Sequence, residues 1–162
     1  MRRSFKIGFF FGLTSGIITT LGLMVGLHSS TTGAHAKLII VGGILTIALA
    51  DSLSEAIGIH ISQKAENIAT KQEIWESTFI TLLCKFVFSS IFIIPILILR
   101  LKTAVTINIM IGFYLIFVTS IAIARERDEK PLKVVTEHLI IFTSVIILTH
   151  YIGQWIHLLC GT

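Results

Sequence analysis

The sequence predicts an all-α, polytopic membrane protein with five transmembrane helices and a cytoplasmic N-terminus. Three observations predict it. The 162 residues are 54% apolar, with a mean hydropathy of +0.90. Charged residues make up only 14%, about half the share usual in a soluble domain. The apolar residues fall in five runs, at 5–27, 38–62, 76–99, 103–124 and 134–158. Each run is long enough to cross a hydrocarbon core of about 30 Å as a helix. A soluble domain of this length has no interior large enough for so much apolar surface. Lipid tolerates spanning strands only in closed barrels, and the strict alternation of barrel strands is absent. No connection between runs is long enough for a second domain, so residues 1–162 read as one membrane domain.

The first run follows MRRSFK. It is longer than the apolar core of a signal peptide, and the Ala-x-Ala at 34–36 lies well beyond it, so the reading is a retained helix. Gly8, Gly12 and Gly16 recur at a spacing of four. Small residues so placed let two helix backbones approach closely in lipid. The expectation is a homodimer seam through this helix, with a neighbour in the same chain as the alternative. Thr14, Ser15, Thr19 and Thr20 offer hydroxyls that either line a polar path or bond back to the preceding turn.

The second run contains ALADSLSEAIGIHISQ, which puts Asp51 and Glu55 four residues apart inside an apolar helix. At about 100° per residue, Asp51, Glu55, Gly58 and Ser62 share one narrow wedge, flanked by Ser52 and Ser54. Carboxylates at membrane depth are costly and mark a cation, a partner or a water-filled path. Two within one turn repel each other, and a divalent cation or a shared proton relieves that repulsion. Carboxylate oxygens suit hard or borderline ions such as Fe²⁺ and Mn²⁺. Asp51 and Glu55 are therefore the expected metal ligands, with Ser15, Thr19, Thr20 and Ser52 along the transport path. Lys85 in the third run competes with this reading, because it can pair with the same carboxylates as a structural network.

Pro95 predicts a kink in the third run. The fifth run carries His150, Gln154 and His157 as a polar stripe, read as interhelical hydrogen bonding. Trp75, Tyr151 and Trp155 fit the membrane interfaces. Between the second and third runs, Glu66, Glu73 and Glu76 could collect cations, although Lys64 and Lys71 among them also fit a solvated surface.

Nine Lys and Arg lie on one side: Arg2, Arg3, Lys6, Lys64, Lys71, Arg125, Arg127, Lys130 and Lys133. Three lie on the other: Lys37, Arg100 and Lys102. The richer side is the cytoplasmic one by the positive-inside rule. These charges sit in short connections without interleaved aromatics, so the formal net charge of +4 is a topology signal and not a nucleic-acid surface. Cys84 and Cys160 are too few and too isolated for a disulfide framework or a zinc site. No nucleophile–base pair or phosphate loop appears, and no enzyme activity is expected. An intramembrane protease would need its two carboxylates on different helices, flanking the substrate. No organelle-targeting segment is seen, which makes a prokaryotic plasma membrane the expected location.

Two stretches resemble the vacuolar iron transporter family. GLTSGIITTLGLMVGL, residues 12–27, is similar to the family's first-helix pattern Gly-Leu-x-Asp-Gly-x-x-Thr-Thr-x-Gly-Leu-x-x-Gly. Gly12, Leu13, Gly16, Thr19, Thr20, Gly22, Leu23 and Gly26 carry the likeness. ADSLSEAIGIHISQKAE, residues 50–66, resembles the family's second helix, with Glu55, Ser62 and Gln63 as counterparts after a one-residue slip. The resemblance implies a dimer that exchanges Fe²⁺ or Mn²⁺ for protons and moves metal out of the cytosol, with no permanently bound cofactor. There are departures. The family's first-helix aspartate falls on Ser15, its second-helix methionine falls near Asp51 or Ser52, and its acidic cytosolic insert is reduced to a short loop. Asp51 could compensate for Ser15 and shift the preference toward harder cations. The functions in contention are a proton-coupled divalent-metal carrier, a non-transporting membrane protein held by a carboxylate–lysine network, and a carrier of another small solute.

Overall fold

A computed structural model describes residues 2–160. Its elements are α1 (Arg3–Ser30), α2 (Ala36–Glu66), α3 (Lys71–Ile91), α4 (Ile93–Ile98), α5 (Leu101–Glu126) and α6 (Pro131–Cys160). No strand occurs among the described residues. Five segments are long and apolar enough to cross a membrane: α1, α2, α3 with α4, α5 and α6. The protein is an integral membrane protein on this evidence.

Each of the five spans outruns its apolar stretch at one end or both, because helical hydrogen bonding continues through polar residues until a local signal stops it. Asn67 and Asp128, at φ 54° and 53°, supply the left-handed residues that end α2 and close the turn after α5. Thr70 and Glu73 form a capping box that starts α3 at Lys71, ahead of the apolar run. Pro131 opens α6 at the first helical position, where its missing N–H costs nothing. The expected kink is a full interruption at Phe92, three residues before Pro95. Proline cannot bond the carbonyl one turn back and crowds that turn. That carbonyl belongs to Ile91; the next one along, of Phe92, accepts from Asn108 Nδ2 at 2.8 Å.

α1 is the central helix and touches α2, α3, α5 and α6. The hairpins α2–α3 and α5–α6 stand on either side of it. Ile17, Leu21 and Met24 of α1 meet Ile40 and Ile44 of α2, Phe92 and Ile96, Ile116 of α5 and Phe142 of α6 in one buried cluster. Apolar side chains also cover the outer faces, such as Leu45, Leu49, Leu53 and Ile57 on α2. In water that surface would be a liability, whereas in lipid it is the solvated face.

The glycine seam lies inside the chain. A Cβ on Gly8 would stand 2.6 Å from the Ser77 carbonyl, on Gly12 2.7 Å from that of Thr81, and on Gly16 3.1 Å from that of Lys85. The partners are offset by the same number of residues each time, so α1 and α3 run parallel in register. The expected dimer seam at Gly8, Gly12 and Gly16 is therefore corrected to an intrachain seam. A second copy of the chain has to use another face.

A candidate carboxylate–lysine site

Asp51 is the midpoint of α2, Ser15 lies close to the midpoint of α1, and Lys85 lies at the middle of the α3–α4 span. The glycine seam brings the α1 and α3 backbones into contact at this level, and α2 closes against both. Ala48, Ser52 and Ala56 form the buried stripe of α2 here, which places Asp51 and Glu55 beside it and toward Lys85.

Lys85 is fully buried, and its ammonium reaches three oxygens. Asp51 Oδ2 and Glu55 Oε1 each lie 2.6 Å from Nζ. Ser15 Oγ accepts from Nζ at 3.0 Å and donates to Glu55 Oε1 at 2.5 Å. An ammonium has three N–H donors, and each has an acceptor. The carboxylates are less enclosed, with Asp51 30% and Glu55 23% exposed. Asp51 opens on a shallow groove lined by Leu23, Gly43, Thr46, Ile47, Ala50 and Ser54. Glu55 Oε2 is buried with no hydrogen-bond partner. One ammonium against two carboxylates leaves the cluster one formal negative charge in excess.

The other expected path residues divide. Ser15 belongs to the site. Thr19 Oγ1 bonds back to the Ser15 carbonyl at 2.9 Å. Ser52 is buried and bonds back to Ala48 and Leu49 carbonyls, away from the carboxylates. Thr20 is buried, and its hydroxyl has no partner. On α2 the polar wedge continues through Gly58 and Ser62, both exposed, toward the end of the bundle that holds Arg2 and Lys6.

The three glutamates proposed to collect cations have separate engagements. Glu76 accepts from Ser4 Oγ at 2.7 Å and faces Arg2 at 3.8 Å. Glu73 is committed to the cap of α3. Glu66 and Glu73 line a small cavity with Arg3 and Gln63, which puts a cation among them. Among the described residues, no three His, Cys, Asp or Glu side chains form a group that could hold a metal ion.

The fifth-run stripe makes the interhelical bonds expected of it at two positions: His150 Nδ1 to Ser29 Oγ at 2.7 Å, and His157 Nδ1 to the Ser30 carbonyl at 3.3 Å. Gln154 is exposed. Sequence reasoning missed Asn108, fully buried on α5 between the Phe92 carbonyl and Met24 Sδ. Its only signal was a lone amide in an apolar run with a proline in the preceding one.

An ion standing where the ammonium stands would meet the Asp51 and Glu55 carboxylates and the Ser15 hydroxyl. All three donors are oxygens, so the set suits a hard cation, a proton or an amine, and offers nothing to a soft metal. No family profile, curated protein or solved structure matches the chain.

Proposed function

We propose that the chain is a membrane carrier that exchanges a cation for protons at Asp51 and Glu55, with Fe²⁺ or Mn²⁺ as the cargo. The observation that carries this reading is the uncancelled charge. Lys85 neutralises one carboxylate of two, and the second keeps a buried oxygen, Glu55 Oε2, without a partner. A site meant only to hold helices together is better served by balanced charges, since surplus charge in a low-dielectric interior is costly. A divalent ion arriving along the groove beside Asp51 would take the oxygens that Lys85 now holds. Protons would cross in the opposite direction. The motif likeness of the first two helices to vacuolar iron transporters supports the same cargo. The excess of Lys and Arg at the end where the chain begins supports a cytoplasmic N-terminus and metal export.

One observation favours the second reading, a structural network. All three N–H groups of Lys85 are satisfied, and the residue is fully buried. Reconstituted protein separates the two. The carrier predicts Mn²⁺-driven proton movement across proteoliposomes, lost in both Asp51→Asn and Glu55→Gln while both variants still fold. Absence of flux in the unaltered chain, with both variants less stable, would establish the network and end the carrier reading.

A further inference from the structure

The end of the bundle remote from Arg2 and Lys6 has an unusual charge balance. None of the nine acidic residues lies in it; Asp51, at mid-depth, comes nearest. Lys37, Arg100, Lys102, His28, His35, His150 and His157 all do. Three of these basic side chains, His28, Lys102 and His150, line one groove between α1, α5 and α6, together with Tyr151. The groove holds about 440 Å³, within the roughly 300–1,000 Å³ of small-molecule sites.

Its lining is sorted by depth. α5 runs inward from Lys102, so Ile109 lies about 10 Å deeper at 1.5 Å per residue. α1 and α6 run outward, so Val25 lies beneath His28, and Ile146 beneath His150. The mouth is therefore basic, and the floor and inner walls are Val25, Val105, Ile109, Ile146 and Ile147. His28 Nδ1 is buried here without a hydrogen-bond partner. Lys102 is exposed, at the level where a helix enters the membrane.

We propose that this groove binds one anionic phospholipid, with its phosphate at Lys102, His28 and His150 and an acyl chain along Ile109, Ile146 and Ile147. Charge complementarity selects the headgroup, because a basic rim without carboxylates attracts the net negative charge of an anionic lipid, whereas in a zwitterion the choline ammonium offsets the same phosphodiester. The apolar inner wall selects a lipid over a free anion.

Native mass spectrometry on the full chain, offered phosphatidylglycerol or phosphatidylcholine of identical chains, tests this. The expected result is preferential retention of phosphatidylglycerol, and loss of about fivefold in that preference on removing one basic residue in Lys102→Gln. Arg100→Gln, at the same end but outside the groove, should keep the preference. Thr106→Trp, which fills the groove and leaves the charges alone, should abolish retention. Inorganic phosphate should fail to raise the unfolding temperature where phosphatidylglycerol raises it. Equal retention of the two lipids, equal loss in Arg100→Gln and Lys102→Gln, retention by Thr106→Trp, or stabilisation by phosphate alone would each overturn the proposal.

Discussion

The two halves of α1 meet opposite chemistry. The first half presents Gly8, Gly12 and Gly16 to α3, and Ser15 beside them joins a cluster with surplus negative charge. The second half presents Gly22 and Gly26 to Val145 and Thr149 of α6, beside His28 and a groove whose rim is basic. The closeness also differs. At Gly12 a Cβ would stand 2.7 Å from a backbone carbonyl, whereas at Gly26 its nearest neighbour would be an ordinary 3.5 Å away. In the second seam the glycine that cannot be replaced is on the partner helix, at Gly153, whose Cβ would collide with the Gly26 carbonyl. The same residue type at similar spacing thus marks two different contacts, and only the neighbour shows which backbone is constrained.

Removing Lys85 breaks the first half most severely. Lys85→Met leaves two carboxylates facing each other without a cation, and thermal unfolding in lipid nanodiscs should show a loss of about 3 kcal/mol, the low end for a broken buried pair because the acids are partly exposed. Adding Asp51→Asn and Glu55→Gln to that variant should restore most of the loss. If the triple variant is no more stable than Lys85→Met, the charge account of this half is wrong. Gly12→Ala comes next, at about 1–3 kcal/mol for overpacking a close contact, against a change within about 0.5 kcal/mol for Gly26→Ala. Equal effects at the two positions would erase the difference between the seams. The smallest change is Thr20→Val, at the join of the halves. It replaces a buried hydroxyl that lacks a partner with a methyl of the same shape, and should raise stability by about 1 kcal/mol. A loss of that size would show that the hydroxyl is bonded after all.

Much of this arrangement is legible in the sequence, because the relevant signals are local. Hydropathy locates five spans without reference to their neighbours, and a charge inside a span is conspicuous wherever it ends up. Asp51, Glu55 and Lys85 announce themselves in this way, and their meeting follows from having few other places to go. What the sequence leaves open is which surface answers which. The glycines of α1 fit a second copy as well as α3, since the pattern states only that something comes close. Ser15 and Thr19 look alike as path residues, yet one faces Glu55 and the other its own helix, a matter of about 40° of rotation. Glu66, Glu73 and Glu76 read as cation collectors or as a solvated surface shared with Lys64 and Lys71, whereas in the fold Glu73 is taken by a cap and Glu76 by a serine. Asn108 was overlooked because its purpose, an acceptor freed by the break at Phe92, exists only in three dimensions.

The register between α1 and α3 has a mechanical consequence. Backbone lies against backbone at three successive levels, so neither helix can roll or slip by a fraction of a turn without collision. The pair moves as a single rigid strut. Ser15 and Lys85 ride on that strut, while Asp51 and Glu55 belong to α2. Rocking of α2 against the strut would stretch those ionic contacts along with the His60–Thr78 and Ser77–Gln63 hydrogen bonds, which makes the cluster part of the latch of the joint as well as its most polar point.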